Sequence, residues 1–135
     1  MKITIHGKPI AKARPRFFRR GKFVGTYNAQ ETEEGRFMLE AHQQIGEPME
    51  GPVSVECIFH IQRPKGHHGT GKNAGTLKAS APEYHTIKPD VDNYLKFVLD
   101  CLNGLAWKDD GQVVEVWGWK VYGIPKTEIE VRAHE

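Results

Sequence analysis

Three things are scarce in this sequence: long apolar runs, cysteine and, near its start, negative charge. No run approaches the ~18 apolar residues that a membrane-spanning helix needs, so no membrane partner is expected. The opening Met1-Lys2-Ile3-Thr4-Ile5 alternates like a strand and lacks the apolar stretch of a secretory signal, which points to a cytoplasmic protein. The two cysteines, Cys57 and Cys101, are too few for a disulfide framework or a zinc ribbon. Both fall in apolar-patterned segments and read as small core residues. No small-molecule cofactor is expected.

What is present is segregated charge. Residues 1–25 carry Lys2, Lys8, Lys12, Arg14, Arg16, Arg19, Arg20 and Lys22 and no acidic side chain. Residues 26–60 reverse this, with seven Glu against Arg36. The totals of 19 basic and 17 acidic residues nearly cancel, so the pattern suits a polyanion-facing patch better than a uniformly basic protein. The plain alternative is a solvated basic loop.

At 135 residues the chain is expected to be a single domain spanning 1–135, large enough to hold its own core. Residues 3–7 read as a short strand. In the basic stretch that follows, Pro15 and Gly21 speak against a continuous helix. A polar amphipathic helix fits 29–45, with Phe37, Leu39, Ala41 and Ile45 as its apolar positions. Residues 53–62 alternate as a half-buried strand, with Val53, Val55, Cys57, Phe59 and Ile61 on one face. Residues 63–89 have no period and are rich in Gly and positive charge; long loops of this kind tend to be functional or disordered. Beyond Pro89, Val91, Tyr94, Leu95, Val98, Leu99 and Leu102 recur at helical spacing, and Asn103-Gly104 supplies a stop. Strands are expected at 113–122 and 127–132. The order β-α-β-loop-α-β-β predicts an α+β fold, a mixed sheet with two helices packed on it.

The segment Lys88-Pro89-Asp90-Val91-Asp92-Asn93-Tyr94-Leu95-Lys96 carries the most chemistry. Asp90 falls at the helix N-cap and Asp92 in the first turn, where carboxylates are stabilising in any helix. Asp92 and Lys96 also make an ordinary i,i+4 pair. A second acidic pair, Asp109-Asp110-Gly111, lies in the turn before the next strand. If that strand returns beside the start of the helix, Asp109 or Asp110 meets Asp90 and Asp92. Crowded carboxylates need a cation, and oxygen donors of this kind suit Mg²⁺, with Mn²⁺ as substitute. Carboxylates beside basic segments are the equipment of a metal-dependent phosphodiesterase. There the metal activates water, and an ammonium such as Lys96 stabilises the phosphoryl transition state. Lys12, Arg14, Arg16 and the loop lysines would neutralise flanking phosphates.

These same residues, followed by Leu102-Asn103-Gly104 and Asp109-Asp110-Gly111-Gln112-Val113-Val114, resemble the RusA family of Holliday junction resolvases. Gly7-Lys8-Pro9-Ile10-Ala11-Lys12-Ala13-Arg14-Pro15-Arg16 and Tyr84-His85-Thr86-Ile87-Lys88-Pro89 are similar to phage and prophage members from Gram-positive bacteria. The resemblance implies a homodimeric, Mg²⁺-dependent endonuclease that nicks four-way DNA junctions symmetrically. It implies catalytic roles for Asp90, Asp92, Asp110 and Lys96. Metal ligation falls to Asp90, Asp92 and Asp110, with Asp109 ranked below. DNA contact is expected from Lys12, Arg14, Arg16, Arg19, Arg20, Lys72 and Lys88, the last standing near the place of a family arginine. Two alternatives stay open: a fork or flap nuclease of the same chemistry, and a non-catalytic junction-binding protein.

Other features read more plainly. His67-His68 fills a loop rather than binding metal, and Gly69-Thr70-Gly71-Lys72 lacks the strand–loop–helix setting of a phosphate loop. His85 is expected to stabilise a turn, Asp100 to lie at a surface or interface, and Trp117 and Trp119 to pack in the core or a dimer. Phe17 and Phe18 are either a local anchor or a wedge between base steps.

Overall fold

A computed structural model describes residues 1–14 and 16–134; Pro15, expected to break a helix, lies outside the described residues. The main sheet has four strands: β1 (Lys2–His6), β4 (Val53–Ile61), β5 (Val113–Tyr122) and β6 (Lys126–Ala133). Their order is β1-β6-β4-β5, with β4 antiparallel to β6 and parallel to β5. Two helices, α1 (Glu31–His42) and α2 (Val91–Leu102), pack on it. The α+β expectation holds for the chain.

The pleat decides the core. Val53, Val55, Cys57 and Phe59 alternate into the interior, where they meet Ile129 and Val131 of β6 and Ile3 and Ile5 of β1. From α2, the buried side chains Tyr94, Phe97, Val98, Cys101 and Leu102 close over them, and Phe59 stacks on Tyr94 at 5.0 Å between centroids. Burial pushes the Cys57 and Cys101 thiols up to about 12, as befits inert core residues. α1 is shorter than its periodicity predicts and buries only Phe37 and Ala41; Leu39 faces solvent.

The basic stretch is not a loop. It forms a hairpin, β2 (Arg16–Arg20) with β3 (Phe23–Tyr27), joined at Gly21-Lys22. Gly21 has φ +60°, the geometry that a tight hairpin turn with glycine first requires. The 63–89 segment contains no strand among the described residues, but it has the 3₁₀ turns Lys65–His67 and Gly71–Asn73 and a single antiparallel bridge between His68 and Leu77. Trp117 and Trp119 are stacked on each other, 6.1 Å apart, but are 51% and 44% exposed, so they are not core in the single chain.

Gly118 sets how closely α2 lies on β5. A Cβ there would stand 2.8 Å from a Leu95 methyl. Gly118→Val should therefore destabilise the fold by about 1–3 kcal/mol through overpacking, read as a lower urea midpoint at unchanged slope.

Candidate active site

Asp90 is the N-cap of α2, in extended conformation, and Asp92 lies in the first turn. A carboxylate at an N-cap ordinarily accepts a first-turn amide, a bond worth about 1 kcal/mol. Asp90 accepts none. Asp92 and Lys96 form no ion pair, although their spacing permits one. All three are exposed, with no side-chain partner among the described residues. The charges of Asp90 and Asp92 still complement the helix dipole, but neither a capping hydrogen bond nor an ion pair engages their oxygens.

What holds Asp90 in place comes from β5. Lys120 lies on the helix-facing side of that strand, and its ammonium donates to the carbonyls of Ile87 and Pro89, each at 3.0 Å. These carbonyls belong to the residues that lead into Asp90; the Lys88–Pro89 peptide between them is cis. Two residues on, Tyr122 gathers both ends of the 63–89 loop. The Arg63 guanidinium sits 4.1 Å from its ring centroid, and His67 and His85 meet it edge-on at 5.5 Å. Arg63 also donates to the Pro82 carbonyl at 2.7 Å. His85 is only 8% exposed, and its Nδ1 has no hydrogen-bond partner among the described residues. Burial, and then the neighbouring Lys120 charge, hold its pKa below the ordinary histidine value.

The second acidic pair divides its labour. Asp109 caps the 3₁₀ turn Asp110–Gln112: its Oδ2 accepts from the Gly111 amide at 3.0 Å. The Gln112 carbonyl oxygen accepts from the Lys108 and Asp109 amides, and its NH₂ donates to the carbonyls of Met49 and Gly51. Asp110 is exposed and accepts one bond, 2.9 Å from the indole N–H of the buried Trp107. Its other oxygen has no hydrogen-bond partner among the described residues. Asp109 is thus tied to the turn's own backbone and Asp110 to a buried indole, each through one oxygen.

The expected convergence of the two pairs does not occur within one chain. β5 begins where α2 ends, through a turn closed by Gly104 N–H to the Trp107 carbonyl at 2.9 Å. It then runs back beneath the helix, passing Leu95 at Gly118 and reaching the level of Asp90 only at Lys120. Asp90 and Asp92 lie at the start of α2, a rod about 18 Å long, and Asp110 lies in the turn beyond its other end. Among the described residues no three Asp, Glu, His or Cys side chains are grouped to hold a metal.

The basic residues also sort themselves. Lys12 is ion-paired with Glu34 at 3.2 Å and Asp100 at 3.0 Å, which accounts for both Lys12 and Asp100 as structural ties. Its backbone amide donates to the Asn93 carbonyl, and buried Gln30 bridges the backbone of Ala11 and Ala13. These bonds root the hairpin beside the first turn of α2. Arg14, Arg16, Arg19, Arg20, Lys72 and Lys88 are exposed with no ion pair among the described residues. The helix-free face of the sheet carries Glu56, Glu115, Glu128 and Glu130, paired with Lys126, Arg132 and His134. Lys120 and Trp107 were not singled out from sequence, yet a lysine in phase with Gly118 and Tyr122 on a helix-facing strand was a readable signal.

His85 is favoured neutral in the fold, so the stability it carries is full above its ordinary pKa of about 6.5 and is lost as pH falls below that value. Between about pH 7.5 and about pH 5 the melting temperature of the wild type should fall further than that of His85→Phe. Equal falls would show that His85 is indifferent to its surroundings.

A family model described as "Endodeoxyribonuclease RusA" matches residues 6–132. The "Uncharacterized protein YqaN" of Bacillus subtilis (strain 168) is 35% identical over 136 residues, covering 98% of this chain and 95% of its own length. No helix of the described residues is long and apolar enough to cross a membrane. The matched region takes in the hairpin, both acidic segments and the last strands, and the chain belongs to the RusA endodeoxyribonuclease family.

Proposed function

We propose that this protein is a divalent-metal-dependent nuclease that resolves four-way DNA junctions by paired nicks, as a homodimer whose two active sites are each built from both subunits. The observation that carries the reading is the placement of the carboxylates. Asp90 and Asp92 stand at one end of α2 with no side-chain partner among the described residues, and Asp110 stands at the other. A second subunit in head-to-tail orientation would supply what each end lacks.

The outer edge of β5 has no strand beside it among the described residues. A two-fold axis through the middle of β5 would pair the strand antiparallel with its copy and bury an exposed edge. The stacked Trp117 and Trp119, with Val114 and Val116, would then be shared between subunits. The same axis carries Asp110 of the partner subunit toward the far end of β5, where Lys120 grips the segment before Asp90. One operation thus serves both the apolar edge and the acidic set.

Asp90, Asp92 and the partner subunit's Asp110 are oxygen donors only, which fits Mg²⁺ or Mn²⁺ and not zinc. Bound there, the metal would supply an acidified water and charge neutralisation at phosphorus. Lys120 keeps Asp90 from turning away with the loop. Trp107 holds one oxygen of Asp110 and leaves the other outward. Lys96, one turn beyond Asp92 and unpaired, is placed to offset negative charge on the phosphate. Arg14, Lys72 and Lys88 would bind flanking phosphates.

Asp92→Asn and Asp110→Asn should each reduce junction cleavage in Mg²⁺ by roughly a thousandfold while leaving junction binding in EDTA nearly unchanged. Mixing the two variants after dissociation and reassociation discriminates the architectures. With shared sites each heterodimer has one intact site and one doubly altered site, so about a quarter of wild-type nicking returns. With single-chain sites nothing returns. Wild-type rates on forks or flaps above those on four-way junctions would keep the site and move the substrate.

A further inference from the structure

Among the described residues, the strands of the β2–β3 hairpin pair with each other and have no extended packing with the sheet or helices. Yet Phe17 is 75% exposed, Phe23 62% and Val24 54%. An isolated two-stranded hairpin is marginal in water, so one that displays large apolar side chains calls for a cover.

Register shows what kind. Phe17, opposite Thr26, shares a face with Arg19 and Val24; Phe23, opposite Arg20, shares the other face with Arg16. Both faces therefore combine an aromatic ring with guanidinium groups. Residues 1–30 hold no carboxylate, and the arm's Arg16, Arg19, Arg20 and Lys22 make it repel a second copy of itself. The cover is a polyanion that also offers flat apolar surface. Intact duplex offers phosphates but keeps its base faces stacked away. An opened branch point, the form a four-way junction takes without divalent ions, does not, because the base pairs flanking it lack a neighbour on one side.

Position agrees. The hairpin is rooted through Lys12 N–H to the Asn93 carbonyl at 2.9 Å and Ala13 N–H to Gln30 at 2.8 Å, alongside Asp92. Its five-residue strands reach about 17 Å from that root, within the span of a few nucleotides.

We infer that this hairpin is the branch-point reader of the nuclease, its arginines holding backbone phosphates while Phe17 and Phe23 stack against bases freed at the junction. The inference rests on the proposed nuclease reading and adds to it the element that distinguishes branched DNA from duplex.

The test uses full-length Asp92→Asn protein in EDTA, so that binding is read without cleavage. The fluorescent base aminopurine is placed beside the crossover of a synthetic four-way junction, at mid-arm, or in a linear duplex. Binding should raise emission about threefold at the crossover and leave it flat elsewhere. Adding Phe17→Ala should remove that signal and weaken junction affinity roughly tenfold with duplex affinity unchanged, and Phe17→Trp should restore both. Arg19→Ala should weaken junction and duplex alike and lower the salt slope by about 1. An unchanged melting temperature confirms that each variant is folded. A crossover signal that survives both Phe17→Ala and Phe23→Ala overturns the inference. So does an arm that binds phosphatidylserine vesicles and produces no aminopurine change. Wild-type cleavage in Mg²⁺ is scored separately: its absence beside an intact crossover signal would sink the nuclease reading and spare the hairpin.

Discussion

The rest of the structure follows from the stiffness and direction of one helix. α2 is a rod about 18 Å long, tied at its start by Lys120 and at its end by the turn through Gly104 and Trp107. Both ties come from the segment that includes β5, which runs the other way beneath it. Carboxylates at the two ends are therefore held apart as firmly as they are held in place. Negative groups that would repel one another if crowded are kept separate in the single chain.

Rigidity of this sort spreads outward from few contacts. Gly118 lets the helix lie close; Tyr122 collects Arg63, His67 and His85, so that a long loop arrives at Asp90 along a defined path. On the other side, Gln30 and Lys12 fasten the strand that leads to the basic hairpin. The acidic turn thus sits between a tethered loop and a rooted arm, both carrying unpaired positive charge. DNA laid across that region would meet cations on both sides of the carboxylates. The opposite sheet face offers paired charges instead, its glutamates tied to Lys126, Arg132 and His134.

Much of this was legible in the sequence, because local periodicity reports local burial. The alternation from Val53 to Ile61 and the helical spacing from Val91 to Leu102 translate directly into β4 and α2. The hairpin was missed because Gly21 was weighed only as a helix breaker, although glycine before a single polar residue between aromatic strands is also a turn signal. The separation of the acidic pairs was missed for a different reason. β4 and β5 are parallel, so the helix between them must run antiparallel to both and end where β5 starts. That pairing spans some sixty positions and leaves no mark in any short window. The order of two adjacent aspartates does not tell which one caps the turn; the structure gives that bond to Asp109.

The two cysteines have a practical consequence. Cys57 and Cys101 lie wholly in the interior with thiols pushed up to about 12, so neither presents a thiolate to reagents at neutral pH. The natural protein is in effect already cysteine-free for labelling chemistry. A single cysteine introduced on the exposed hairpin or along β5 would take a fluorophore or spin label alone. Whether two copies of the chain associate, and whether the arm meets added nucleic acid, then becomes measurable without first rebuilding the core.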